Sequence, residues 1–189
     1  MRAGITALAA MAVLLSAAGA SGLELVTNGD FESAFDPAWE QSTSGTAVWI
    51  ERGTSYDADP DYEARVRKST GNGRGKLSQT FNLPGTDVRF SARLLASATA
   101  SATDIWAAGV LMLSYQDLAG NVLGRTAIGA TTHGCPWVSD DTFHLLGSST
   151  GAWQDWSFHL DDELANLPGV DPMQVRRLEV ALLVEATDC

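Results

Sequence analysis

The sequence is poor in cysteine, histidine and basic residues, and each shortage excludes a class of function. Its 189 residues contain two cysteines and three histidines. A structural zinc site takes four ligands in paired spacings, which so few and scattered residues do not supply. With 23 Asp and Glu against 12 Lys and Arg, the chain repels phosphate backbones, which argues against nucleic acid as its partner.

The sequence also lacks an apolar run long enough to span a membrane, which takes about 20 residues. The longest apolar run, residues 5–15, follows Arg2 and precedes Ala18-Gly19-Ala20, a small-residue pattern that signal peptidase cleaves. We therefore predict a signal peptide over residues 1–20 and one mature domain over residues 21–189, secreted or periplasmic. The alternative interpretation is a buried N-terminal helix.

Catalytic motifs are missing as well. His133, His144 and His159 form no H-E-x-x-H arrangement, and the chain has no G-x-S-x-G elbow. Carboxylate pairs of the kind that hydrolyse glycosides occur by chance in any chain this acidic, so they decide nothing. We expect no catalytic residues.

An exported chain with two cysteines most simply forms one disulfide bond, here between Cys135 and Cys189. Closing a loop of about 55 residues would stabilise the fold by roughly 4 kcal/mol. Two unpaired thiols are the alternative.

Alternation of apolar and polar residues with a period of two dominates the mature chain and predicts half-buried strands. Between residues 109 and 115 both alternating sets are apolar, with Gly109, Leu111, Leu113 and Tyr115 on one face and Val110 and Met112 on the other, which predicts a central strand covered on both faces. We expect only two short helical turns, at residues 161–167 and 171–174, and a strand connection at residues 97–104. Seven or eight short strands with Gly- and Pro-marked turns predict an all-β fold, a two-sheet antiparallel β-sandwich or jelly roll.

Residues 25–33 read Leu-Val-Thr-Asn-Gly-Asp-Phe-Glu-Ser, and Trp39 follows after a short loop. This opening resembles that of carbohydrate-binding modules of the galactose-binding-like β-jelly-roll superfamily. Weaker similarities follow in the same order at residues 77–81, 113–121 and 153–158. The resemblance implies a jelly roll whose core includes Trp39, Trp153 and Trp156. The chain stops at Cys189, so we expect the closing C-terminal strand of that family to be missing.

The resemblance also implies a structural calcium ion, with Glu32 at the position of a ligand. Calcium takes six to eight oxygen ligands, often from carboxylates on loops. The alternating acids Asp57, Asp59 and Asp61 could supply them, with Asp30 as a second choice. A solvated acidic loop is the alternative interpretation.

Sugar recognition needs flat apolar rings for stacking and planar polar groups for paired hydrogen bonds. The candidate stacking residues are Trp49, Trp106 and Trp137, with Arg65, Arg67 and Arg89 as polar partners. Arg65, Arg67, Lys68, Arg74 and Lys76 also form a local cluster of cations, which could bind an anionic polysaccharide or neutralise the acidic loop before it. Ordinary packing remains the alternative for each aromatic residue.

These features together indicate a secreted, non-catalytic carbohydrate-binding module that recognises a polysaccharide or other glycan. The second candidate is an extracellular structural or adhesive protein that uses the same fold to contact a protein partner. A polysaccharide lyase or glycoside hydrolase is third. Retention on insoluble glycan without release of reducing ends would separate the first candidate from the third.

Overall fold

The computed structural model describes residues 5–17, 24–56, 60–102, 104–148 and 151–188. The described residues form eleven strands, in chain order β1 (Ile5–Ala17), β2 (Glu40–Gly45), β3 (Val48–Gly53), β4 (Glu63–Lys68), β5 (Gly73–Asn82), β6 (Val88–Ala100), β7 (Ile105–Gln116), β8 (Val122–Thr131), β9 (Phe143–Gly147), β10 (Trp153–His159) and β11 (Arg177–Asp188). A short helix α1 (Leu160–Leu164) and a 3-10 turn at Pro172–Gln174 precede β11.

The strands form two sheets that pack face to face. One sheet has five strands in the order β10-β6-β1-β4-β3, and the other has six in the order β2-β5-β11-β7-β8-β9. Neighbouring strands are antiparallel, except that β8 and β9 run parallel. The expected all-β, two-sheet sandwich is therefore confirmed.

Strand β7 lies at the centre of the six-stranded sheet, and all twelve of its residues are buried. Leu111 and Leu113 face the main core between the sheets. Val110 and Met112 point to the opposite side, where a second apolar cluster covers them. Both faces of β7 carry apolar residues because both faces are buried, as the sequence predicts.

Alternating strands supply the rest of the main core. In β6 the inward residues Val88, Phe90, Ala92 and Leu94 are buried, whereas Arg89 and Arg93 are exposed. In β11 the alternate residues from Leu178 to Val184 behave in the same way. The two expected helical turns are confirmed, and α1 adds Leu160 and Leu164 to this core.

The N-terminal turn is built around Asn28 and Phe31, both of which have positive φ angles. The Asn28 side chain closes the turn by accepting from the Ser33 amide at 2.8 Å and donating to the Ser33 carbonyl at 3.0 Å. This places Phe31, which is fully buried, against Trp39 with ring centroids 5.1 Å apart. Trp39 is therefore a core residue, as expected.

Gln79 holds this turn onto the six-stranded sheet. Its side-chain oxygen accepts from the Thr27 amide at 2.8 Å, and its amide nitrogen donates to the carbonyls of Thr27 and Ala38 at 3.0 and 2.9 Å. A polar residue on the inward side of β5 is thus fully hydrogen-bonded, which offsets the cost of burying it.

Residues 5–17, which the sequence assigns to a signal peptide, form an interior strand of the five-stranded sheet. Strand β1 pairs with β6 over thirteen positions, from Ile5 opposite Ala100 to Ala17 opposite Val88. It pairs with β4 over five further positions. While the segment remains attached it is therefore a strand, and the alternative of an N-terminal helix is wrong.

Three local expectations need correction. The expected connection at residues 97–104 is shorter, because β6 continues to Ala100. The described residues form eleven strands where seven or eight were expected, and β2 and β9 are among the strands that were not predicted. The sequence of β2, Glu-Gln-Ser-Thr-Ser-Gly, has no apolar face, and all six residues are exposed. Strand β9 has only five residues and lies at the sheet edge.

Candidate functional site

An open cleft of about 730 Å³ lies on the outer face of the six-stranded sheet. Strands β5, β11, β7 and β8 form its floor, and the loop between β8 and β9, residues 132–142, forms a wall. We call it the sheet cleft. This outer face can be reached by a ligand because the sheet packs against the main core with its opposite face.

The floor of the sheet cleft carries a polar row that crosses three strands. Glu179 of β11 is opposite Ser114 of β7, which is opposite Arg125 of β8. Phe143 of β9 continues the row. Ser114 is the polar exception in an otherwise apolar stretch of β7. Directly opposite residues share one sheet face, so the register brings acidic, hydroxyl, basic and aromatic groups side by side.

Two ion pairs flank this row. Lys76 donates to the Glu179 carboxylate at 2.6 Å, and Arg74 lies 4.0 Å from the Glu185 carboxylate. Arg125, by contrast, is exposed and has no ion pair within the described part of the chain. The sheet cleft therefore holds one unpaired guanidinium beside two neutralised cations.

The wall of the sheet cleft presents the ring of Trp137. This half-buried ring lies 5.9 Å from Trp106 and 6.2 Å from Phe143, measured between centroids. Behind it lies the second apolar cluster, which includes Val110, Met112, Ala127, Ala181 and Leu183. The Trp137 ring is thus supported on one side and borders the open cleft on the other.

Side-chain caps fix the loop that carries Trp137. The Asp140 carboxylate accepts from the Thr142 amide at 2.7 Å, the Thr142 hydroxyl at 3.0 Å and the Phe143 amide at 2.8 Å. These bonds, those of Thr142 first, lower the pKa of Asp140. The Ser139 hydroxyl accepts from the Leu145 amide at 2.9 Å. The loop therefore enters β9 in a defined conformation.

The six residues predicted to bind carbohydrate do not form one site. Only Trp137 and Trp106 lie on the side of the sheet cleft. Trp106 is 7% exposed, so its ring supports Trp137 and is not open to a stacking sugar, which corrects the prediction for that residue. The other four lie on the outward face of the five-stranded sheet.

Trp49, Arg65 and Arg67 form a compact array on that outward face, around Glu51. The Glu51 carboxylate accepts from Arg65 at 2.5 Å and from Arg67 at 3.2 Å. The Arg67 guanidinium lies 4.2 Å from the Trp49 ring centroid, and that of Arg65 lies 4.0 Å from the Tyr56 ring centroid. Both guanidinium groups are thus already occupied by a carboxylate and an aromatic face.

Burial alone would raise the pKa of Glu51, but the hydrogen bonds and positive charges of Arg65 and Arg67 outweigh it, and the net pKa is lowered. Arg89 lies on the same outward face on β6 and donates to the Ser157 hydroxyl at 2.8 Å. Further along, Arg93 lies over the half-buried ring of Trp153, 5.2 Å from its centroid. Trp153 is therefore on the outward face and is not part of the main core, which corrects the expectation for that residue. Trp156 is half-buried and packs against the main core.

The predicted cluster of cations is divided by the fold. Arg65 and Arg67 lie on one sheet, whereas Arg74 and Lys76 line the sheet cleft on the other. Lys68 is fully buried, and its ammonium donates to the carbonyls of Thr46 and Thr70, both at 2.9 Å. Burial lowers the pKa of Lys68. Lys68 is therefore a structural residue and is not part of a surface patch.

The predicted calcium ligands are only partly described. Asp57 and Asp59 lie outside the described residues. Glu32 accepts a hydrogen bond from the Tyr62 amide at 3.1 Å, which places its carboxylate beside the loop that carries Asp61. The Asp30 carboxylate accepts from the Glu32 amide at 3.3 Å. Among the described residues, no three His, Cys, Asp or Glu side chains gather into a group able to hold a metal.

The predicted disulfide also involves a residue outside the described ranges, Cys189. Cys135 lies half-buried in the loop of Trp137 and has no disulfide partner among the described residues, and burial raises the pKa of its thiol. The loop is tied to β7 next to the end of β11, because Thr132 donates its amide to the Ala107 carbonyl at 2.9 Å and Ala107 is opposite Ala186.

A buried polar network, which the sequence did not indicate, connects α1 to β8 and β9. Glu163 is 5% exposed and accepts from the Thr126 hydroxyl at 2.7 Å, and its carboxylate is 2.7 Å from His144 Nδ1. Thr126 is also hydrogen-bonded to the Tyr115 hydroxyl at 3.1 Å. Burial raises the pKa of Tyr115. This network positions α1 against the sheet.

The fold and the sheet cleft define an all-β sandwich that carries an aromatic-walled polar cleft on an outer sheet face. No protein-family model matches the chain, and no curated protein matches it significantly. Among the described residues, no helix has the length and apolar character needed to cross a membrane.

Proposed function

We propose that this protein is a secreted, non-catalytic carbohydrate-binding module and that its glycan binds in the sheet cleft. One observation carries the proposal: Trp137 and Arg125 border the same open cleft of about 730 Å³ on the outer face of one sheet. A volume of this size accommodates a short oligosaccharide segment. An open cleft on a sheet face suits an internal stretch of a polysaccharide, whose chain continues beyond both ends.

The groups in the sheet cleft match the two needs of sugar binding. A pyranose ring stacks its apolar face on an aromatic ring, which Trp137 provides. Its hydroxyls need fixed donors and acceptors, and Arg125, Ser114 and the Lys76–Glu179 pair supply both kinds. Little ordering is needed on binding because these groups lie on strands, which favours affinity.

The resemblance of residues 25–33 to the opening of galactose-binding-like modules supports the same proposal. The structure gives these residues a folding role, since Asn28 and Phe31 build the N-terminal turn. Arg52 holds that turn by donating to the carbonyls of Phe31 and Glu32. The proposed calcium ion would be bound by Glu32 and the acidic loop beside it, where it would supply charge neutralisation.

The proposal has three further parts: export, a Cys135–Cys189 disulfide and a bound calcium ion. They are tested on protein secreted with its leader: its intact mass gives both the cleavage point and the loss of two hydrogens on disulfide formation. Melting with calcium and then with a chelator tests the metal. A melting temperature that is unchanged by either rejects the calcium ion while leaving the glycan-binding proposal standing.

A structural or adhesive protein is the second candidate, and the array around Trp49 favours it. Trp49 is 37% exposed beside two arginines on an outward sheet face, and Trp and Arg are enriched at protein interfaces. The paired state of both arginines with Glu51 ranks this candidate below glycan binding.

The experiment that tests the proposed function is thermal melting of the secreted protein across a panel of neutral and anionic polysaccharides. A ligand that binds the native state raises the melting temperature. A rise with one glycan class, without release of reducing ends, is expected. A rise accompanied by reducing ends would replace the binding module with an enzyme. No rise with any glycan, together with self-association, would favour the adhesive protein.

A further inference from the structure

Strand β1 occupies an interior position that the same residues leave if they are cleaved as a signal peptide. It lies between β4 and β6, and its thirteen pairs with β6 form an uninterrupted register. It also contacts β7 and β11 of the opposite sheet. Removing residues 1–20 would therefore open a slot inside the sandwich.

The slot would expose strand edges that are fully paired when β1 is present. Strand β6 would lose β1 as its partner along Val88–Ala100 and keep only β10. Strand β4 would lose β1 between Ala64 and Lys68 and keep only β3. Unpaired edges of this length recruit another strand, because each amide and carbonyl otherwise loses a hydrogen bond. The buried core residues beside the slot, Ala64, Val66, Phe90 and Leu94, are at most 1% exposed with β1 in place.

Among the residues that the structure describes after β1, no strand is free to close this slot. Strands β2 to β11 each have a place in one of the two sheets, and β11 is held between β5 and β7. An occupant of the slot after cleavage therefore comes from outside the described strands β2 to β11.

We propose that the slot between β4 and β6 is a strand-acceptor site, filled in the exported protein by an uncharged apolar strand of another polypeptide. The chemistry of the occupant follows from the strand that the slot holds here. Residues 5–17 contain no charged residue, no proline and no glycine. The inserted strand runs antiparallel to both neighbours, as β1 does, and makes main-chain hydrogen bonds on both sides.

This inference rests on the export part of the proposed function and not on glycan binding. It is tested without glycan, so the two can fail separately. Protein is secreted with its leader, and its intact mass gives the N-terminus. Cleavage after Ala20 is expected. Exported protein that retains residues 5–17 would overturn the proposal, because its own strand would then fill the slot.

The cleaved protein is next melted with a synthetic peptide of residues 5–17 that carries a lysine tail for solubility. At a hundredfold excess over Kd the melting temperature should rise by roughly 5–10 °C. The matched control is the same peptide with Ala9→Pro and Ala12→Pro, which removes two amide donors and should give no rise. Cleaved protein as stable as the full chain, and unaffected by either peptide, would overturn the proposal.

A second measurement covers the case in which the cleaved chain does not fold alone. A protease site is inserted between Ala20 and Ser21 of the full chain, which is folded without export and then cut. Fluorescent peptide of residues 5–17 should replace the cut strand, and the proline peptide should not. A cut protein that takes up no label after prolonged incubation just below its melting temperature would contradict the acceptor site.

Discussion

The ring of Trp137 rests on that of Trp106, with centroids 5.9 Å apart. Only one of the two is available to a ligand, because Trp106 is 7% exposed whereas Trp137 borders the sheet cleft. Trp106 therefore holds the Trp137 ring in position, and the Trp137 ring is the one that a ligand can contact. This arrangement matters because an aromatic surface that is held in place loses little conformational entropy when a sugar stacks on it.

Trp106→Ala should weaken both the fold and glycan binding, although Trp106 touches no ligand. Removing a buried tryptophan typically costs about 3–5 kcal/mol of the free energy of unfolding. Trp106→Phe, which keeps an aromatic support, should recover most of the affinity. Urea unfolding and glycan titration check the two effects. Unchanged affinity in a folded Trp106→Ala protein would show that Trp137 needs no support.

Glu51→Gln should destabilise the protein at neutral pH and not in strong acid. The pKa of Glu51 is lowered in the folded protein, so its carboxylate stabilises the fold above its ordinary pKa of 4.5. That stabilisation is lost as the pH falls through the lowered folded-state pKa. The pair is partly exposed, with side chains 27% and 31% accessible, so the expected effect at pH 7 is only about 0.5–1 kcal/mol.

Urea unfolding at pH 7 and pH 3 measures this difference between the wild type and Glu51→Gln. The matched control is Glu40→Gln, which changes an exposed carboxylate at the first position of β2. The difference in the free energy of unfolding between wild type and variant should become smaller at pH 3 for Glu51→Gln and not for Glu40→Gln. A constant difference at both pH values would mean that the Arg65 and Arg67 contacts do not depend on the charge of Glu51.

Gly75→Ala should destabilise the sandwich by overfilling the core. A Cβ at Gly75 would lie 2.6 Å from Val48 Cγ1, 3.0 Å from Val66 Cγ1 and 3.2 Å from Val184 Cγ2. Overpacking of this kind costs about 1–3 kcal/mol. Gly85→Ala, where no atom lies within 4 Å of the added Cβ, is the matched control. Equal melting temperatures for the two variants would contradict close packing at Gly75.

Glu163→Ala should loosen α1, because it leaves the Thr126 hydroxyl and His144 without their carboxylate partner. Losing one member of a buried hydrogen-bond network costs about 2–3 kcal/mol, chiefly through groups left unsatisfied. Glu163→Gln keeps an acceptor and should cost less. Hydrogen exchange of the α1 amides checks the location of the effect. Unchanged exchange in α1 would assign the network a role other than positioning this helix.

Much of the two sheets could be predicted because apolar and polar residues alternate along these strands in step with buried and exposed positions. Strands β4 and β6 each place apolar residues on one face, so the local pattern reflects the tertiary environment directly. Strand β9 shows no such pattern, because its residues Phe143 to Gly147 lie at a sheet edge with both faces partly covered. Its parallel pairing with β8 depends on the intervening loop and leaves no local signal.

The sheet cleft was harder to predict because it depends on register between distant strands. Lys76 and Glu179 are 103 positions apart and meet only through the pairing of β5 with β11. The missed residues Ser114, Arg125 and Glu179 did carry a weak signal, as polar positions within strands. Trp49 and Trp137 look alike in sequence, and only the sheet order separates them onto opposite faces.

The most direct test of the central claim is a set of binding isotherms for the glycan that the melting panel identifies, with Trp137→Ala and Trp49→Ala as a matched pair. Truncating a residue that contributes substantially to a binding interface typically costs more than about 1 kcal/mol, so Trp137→Ala should raise Kd by roughly 5-fold or more. Arg125→Gln should also raise Kd, with no change in melting temperature. Trp49→Ala should bind like the wild type. Binding that survives Trp137→Ala and Arg125→Gln but is lost in Trp49→Ala would contradict the sheet cleft and place the glycan on the five-stranded sheet.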